Sequence, residues 1–87
     1  RTEKQLLIDV RLPEEFAHGH LPGAINLPLA QVREGAKTLD SNGDYVVYCD
    51  TGRRSASATF LLTERGLNAK VIRGGVAIEE LTLVDTQ

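Results

Sequence analysis

The 87-residue chain has one cysteine, no tryptophan and no methionine. A single cysteine excludes an internal disulfide. No Cys/His cluster stands at zinc-ligand spacing either, so the sequence calls for neither a metal nor a cofactor. There is no run of about 18 apolar residues, which excludes a membrane-spanning helix. No secretory signal is visible, and a reducing cytoplasm is the expected location. The net charge of −2 is too small for a surface built to hold nucleic acid. There are no internal repeats and no low-complexity segments. A chain of this length carries one domain with a modest core, so residues 1–87 are expected to form a single unit. Because it opens on Arg1, the unit reads as excised from a longer chain, and a fused domain is expected outside it.

Against this plain background the cysteine stands out by its company. Tyr45-Val46-Val47-Tyr48, β-branched and aromatic, reads as a buried strand. Ser55 through Arg65 reads as a helix that Gly66 stops. Between them lies Cys49-Asp50-Thr51-Gly52-Arg53-Arg54, a loop at a helix start. Its N–H groups and the positive end of the helix dipole both favour an anion. A thiolate is the reactive form of cysteine, so the position suits a nucleophile. The competing reading is a small core hydrophobe, because cysteine is often buried. Core packing leaves the polar run after Cys49 unexplained. Residues 49–74 carry five cations against two anions, a local excess of three, whereas residues 75–87 carry Glu79, Glu80 and Asp85 and no cation.

Elsewhere the elements alternate. Leu6 to Arg11 reads as a buried strand, and Pro13 opens a short helix with Glu14 and Glu15 suiting its dipole. Pro22-Gly23 favours a type II turn, Ala24 to Leu27 is a short strand, and Leu29 to Ala36 a short helix. Ser41 to Asp44 is a turn cluster, Ala69 to Ile72 a further strand, and a last weak helix falls near residues 77–81. Alternation with short connections predicts an α/β domain with a largely parallel sheet and helices on both faces. Ligands in such folds bind beyond the carboxyl ends of the strands, where Asp9-Val10-Arg11 and Cys49 both fall.

Four segments together resemble a rhodanese domain of the single-domain sulfurtransferase type. They are Ile8-Asp9-Val10-Arg11, Gly19-His20-Leu21-Pro22-Gly23-Ala24, Cys49 to Ser55, and Arg73-Gly74-Gly75. The resemblance implies a sheet of about five parallel strands. Only Arg1–Gln5 precede the first motif, so it also implies that the opening strand is absent or supplied from outside the chain. The final helix lacks the tryptophan common in the family, with Glu79 near its place. The implied enzyme is a thiosulfate sulfurtransferase. Cys49 takes a sulfane sulfur from a small anionic donor such as thiosulfate, and the persulfide passes it to cyanide, a thiol or a protein. By the same resemblance, Asp50, Thr51, Gly52, Arg53, Arg54 and Ser55 form the active-site loop. Arg54 stands at the loop-closing position, and Asp9, Arg11 and His20 give structural support.

Asp50 is the awkward member, because its charge opposes a bound anion. Arg53 is the expected compensator, leaving Arg54 to hold the donor. Two alternatives stand beside this reading. One is a non-catalytic or regulatory rhodanese module of a multidomain protein. The other is a cysteine phosphatase or arsenate reductase of related fold. Those enzymes hold five residues between Cys and Arg, whereas four separate Cys49 from Arg54 here.

Overall fold

The computed structural model describes residues 5–50 and 52–72. Thr51, the Arg73-Gly74-Gly75 motif and the helix expected near residues 77–81 lie outside them. Four strands are present among the described residues: β1 (Gln5–Asp9), β2 (Ile25–Asn26), β3 (Asp44–Tyr48) and β4 (Asn68–Val71). All pair in parallel, in the order β2-β1-β3-β4. The helices are α1 (Pro13–His18), α2 (Val32–Gly35) and α3 (Arg53–Glu64), and 3-10 turns at Leu29–Gln31 and Ala36–Thr38 flank α2. The expected α/β class with a parallel sheet is what forms, with four described strands where the resemblance implied about five.

Burial increases along the two central strands toward their carboxyl ends. Ile8, Asp9 and Val10 are buried, as are Val47, Tyr48 and Cys49. From α3, Ser55, Ala58 and Leu62 face inward, spaced at i, i+3 and i+7 along one helical stripe. Ala58 and Leu62 join Val32 and Ala36 in one core cluster with Ile8, Val10 and Val47. Each fully buried Val, Leu or Ile contributes roughly 1.5–3 kcal/mol relative to exposure. The charged helix faces point to solvent, where Glu34 and Lys37 pair at 3.3 Å.

Three boundaries differ from expectation. The strand that was to reach Arg11 ends at Asp9, because the Asp9 carboxylate takes the Arg11 backbone N–H at 2.9 Å and turns the chain. The single helix expected over Leu29–Ala36 is broken into 3-10, α and 3-10 pieces. Gly35 ends the α piece, where a Cβ would collide with the Leu27 side chain. Most consequentially, α3 starts at Arg53 rather than Ser55.

Gly43 marks a close approach to an aromatic side chain. A Cβ there would lie 2.5 Å from the hydroxyl of Tyr45 and 2.6 Å from its ring. Tyr45 cannot swing away: it is fully buried, and its hydroxyl donates to the Asp40 carbonyl at 2.7 Å. Gly43→Ala is therefore expected to cost about 1–3 kcal/mol by overpacking. A drop in the urea midpoint at constant m measures it, and an unchanged midpoint would show that the turn relaxes freely.

Candidate active site

The strand order places a topological switch at the centre of the sheet. The chain leaving β1 runs to β2 on one side, and the chain leaving β3 runs to β4 on the other. The two diverging exits leave a crevice between them, the usual ligand position in such sheets. Asp9-Val10-Arg11 forms one lip and Cys49 begins the other. The lips are joined by register, Asp9 opposite Tyr48, and by the Val10 N–H donating to the Tyr48 carbonyl at 3.1 Å.

The first lip is a rigid brace. Arg11 forks onto the buried Asp9 carboxylate, Nε to Oδ1 at 3.0 Å and Nη2 to Oδ2 at 2.8 Å. Nη2 also reaches the Gly19 carbonyl at 2.7 Å. Asn26 Nδ2 donates to the carbonyls of Asp9 and Arg11, each at 3.0 Å. His20 stacks on Phe16 with ring centroids 3.7 Å apart, and its Nδ1–H donates to the Phe16 carbonyl at 2.9 Å. The Pro22-Gly23 turn is closed by the Ala24 N–H on the Leu21 carbonyl at 3.1 Å. The Leu21 N–H in turn donates to Tyr48 Oη at 3.0 Å. Burial, seconded by the charge of Asp9, pushes the Tyr48 phenol well above its ordinary range, although the Leu21 N–H opposes this. The phenol is thus a neutral fastener between the turn and β3.

The second lip holds the sulfur. Cys49 is fully buried. Its Sγ receives the N–H of Gly52 at 3.1 Å and that of Ser55 at 3.3 Å, and lies 3.4 Å from Ser55 Oγ. Ser55 Oγ–H donates to the Gly52 carbonyl at 3.2 Å, and that carbonyl also holds the Ala56 N–H at 3.0 Å. Gly52 has φ +91°, the left-handed region that a side chain disfavours. That reversal lets the Gly52 N–H point back at the sulfur while α3 starts on the next residue.

An early helix start puts Arg53 and Arg54 in the first turn of α3, where the dipole disfavours cations. Arg54 is compensated by two carboxylates. Its Nη1 and Nη2 donate to Glu15 Oε1 and Oε2 at 2.9 and 3.3 Å, and Nη2 also donates to Asp50 Oδ1 at 3.0 Å. Asp50, for which Arg53 was the expected compensator, meets Arg54, one helical turn on. Glu15, read from the sequence only as a dipole-serving residue of α1, ties α1 to the cysteine loop. A cation in the first turn of a helix was the signal that a carboxylate had to come from elsewhere. Asn26 and Tyr48 were also missed, because their bonds join segments far apart in sequence.

A groove of about 330 Å³ beside α2 and α3, lined by Arg33, Glu34, Lys37, Leu61, Glu64 and Arg65, includes no residue of the cysteine loop. Among the described residues, no group of three or more His, Cys, Asp or Glu could hold a metal ion. No helix there is long and apolar enough to cross a membrane.

The model of the rhodanese-like domain family matches residues 1–77 of the chain. The chain belongs to that family. It is 42% identical over 71 residues to the thiosulfate sulfurtransferase PspE of Escherichia coli, covering 79% of this chain and 68% of that one. A crystal structure of a rhodanese-related protein from Thermoplasma volcanium superposes with TM-score 0.84 at 36% identity, covering 94% of this chain and 85% of that one. A structure described as a rhodanese with anions from E. coli gives TM-score 0.75 at 37% identity, covering 93% and 98%. The domain is thereby placed in a sulfurtransferase family.

In this rhodanese domain the Glu15 clamp has a pH signature. The Glu15 carboxyl is held below its ordinary value of 4.5, first by the Arg54 hydrogen bond and then by the Leu12 N–H. A depressed carboxyl contributes stability that is present above its unfolded value and lost as pH falls through the folded one. Glu15→Gln is therefore expected to be less stable than the parent at pH 7. The gap should close as the pH is lowered below 4.5. Denaturation midpoints across that range measure it, and a pH-independent gap would mean that packing, not charge, holds the clamp.

Proposed function

We propose that the domain is a sulfurtransferase that carries a sulfane sulfur as a persulfide on Cys49. The Cys49 thiolate attacks the outer sulfur of a donor such as thiosulfate. The new Sγ–S bond forms as the S–S bond of the donor breaks, and sulfite leaves with the electron pair. The persulfide anion then gives its outer sulfur to cyanide, a thiol or an acceptor protein, regenerating the thiolate.

One observation carries the reading: Sγ accepts two backbone N–H groups, from Gly52 and Ser55, at the start of a helix. Hydrogen bonds to the charged form favour it, so the cradle supports a thiolate and then the negative persulfide without a general base. Ser55 adds a third donor on demand. As Cys49 loses its proton, the Ser55 hydroxyl turns from the Gly52 carbonyl to the sulfur. The carbonyl keeps the Ala56 N–H, so the turn leaves no orphaned group. Because Sγ is fully covered, donor entry requires the loop to yield. The reaction needs a reduced thiol, which suits a reducing compartment such as the cytoplasm.

With thiosulfate and cyanide the domain should form thiocyanate, and with aryl phosphates it should release no phosphate. Four residues between Cys49 and Arg54 leave too few amides and too little room for a tetrahedral phosphoryl group. Phosphate release without thiocyanate would overturn the reading.

A further inference from the structure

Asp50 follows the sulfur-bearing residue directly, yet it carries the charge that an anionic donor must meet. Its carboxylate is not turned away. It occupies Nη2 of Arg54 at 3.0 Å, while Glu15 holds the same guanidinium from the α1 side through Nη1 and Nη2. Arg54 immediately precedes Ser55, whose N–H bonds Sγ, so this ion cluster sits beside the cradle on both sides in sequence. The Arg54 guanidinium thus meets two carboxylates before any donor arrives. Both carboxylates and Arg54 are partly exposed, within reach of a ligand from solvent.

Resting on the sulfurtransferase reading, we propose that Asp50 is a specificity-determining residue. By pairing with Arg54 at the mouth of the cysteine loop, it biases the site against dianionic donors and toward sulfane donors of lower charge. Of two donors with the same transferable sulfur, the doubly charged one meets Asp50 at greater cost, and Arg54 is already neutralised. Glu15 is what makes the device separable. With Asp50 neutralised, Glu15 still orients Arg54 through two hydrogen bonds, and the released face of Nη2 is offered to the ligand.

The test compares thiosulfate with methanethiosulfonate, in which a methyl group replaces one anionic oxygen. Attack by Cys49 on the outer sulfur of either forms the same persulfide. Sulfite leaves from the first and methanesulfinate from the second, each with the electron pair. Asp50→Asn should raise the ratio of kcat/KM for thiosulfate over methanethiosulfonate about two- to fivefold, the scale of one partly exposed charge. The change should appear in KM rather than kcat and shrink as salt is added. Asp50→Glu, which restores the carboxylate, should return the ratio to the parent value. Sulfate, an inert dianion, should bind Asp50→Asn more tightly than the parent by a similar factor in titration calorimetry. An unchanged or lowered ratio, with sulfate affinity unmoved, overturns the proposal. If the parent transfers sulfur from neither donor, the sulfurtransferase reading itself fails, and the sulfate arm still decides the role of Asp50.

Discussion

Cys49→Ser is expected to end sulfur transfer from thiosulfate to cyanide while leaving the domain folded. The serine hydroxyl can accept the same N–H groups of Gly52 and Ser55, so the loop keeps its hydrogen bonds. The chemistry does not survive. A hydroxyl does not ionise in this setting as a thiol does, with its ordinary pKa of about 8.5, and oxygen cannot carry the persulfide. Thiocyanate formation should fall to that of the reagents alone, with the urea midpoint close to the parent. Retained turnover by a folded Cys49→Ser protein would remove Cys49 from the mechanism.

The second large effect lies at the opposite lip. Asp9→Ala is expected to cost about 3–5 kcal/mol, the penalty for stranding one partner of a buried ion pair. Asp9 is fully buried and Arg11 nearly so, and the carboxylate takes the backbone N–H as well as the guanidinium of Arg11. A domain of this size has only about 5–15 kcal/mol in total, so the variant should be marginal at 37 °C. Replacing the pair together, Asp9→Leu with Arg11→Met, should cost less than Asp9→Ala alone, because no charge is left buried. Denaturation of the three proteins checks this. A loss under about 1 kcal/mol for Asp9→Ala would mean that Arg11 escapes to water rather than staying under Gly19.

The sequence was most legible where chemistry and local structure coincide. Tyr45 to Tyr48 is a strand because β-branched and aromatic residues run without interruption, and Pro22-Gly23 turns where its dipeptide requires. The placement of Cys49 between strand and helix followed from the same signals, and the parallel sheet followed from alternation. What stayed hidden depends on angles that sequence carries weakly. The left-handed Gly52 starts α3 two residues early. Each residue on a helix turns the side-chain direction by about 100°, and the early start brings Arg54 round to Asp50. The Glu15–Arg54 bridge spans 39 positions, and no local pattern announces it. The sequence set a buried cysteine and a nucleophile against each other, whereas amides turned inward on a fully buried sulfur combine the two.

The central claim is that Cys49 itself carries the sulfur, and intact-mass measurement tests it most directly. After incubation with thiosulfate and removal of excess reagent, the folded protein should be heavier by one sulfur atom. Cyanide should return it to the starting mass with release of thiocyanate, and Cys49→Ser should show no gain. A folded parent protein that turns thiosulfate over yet never carries the added sulfur would contradict the account.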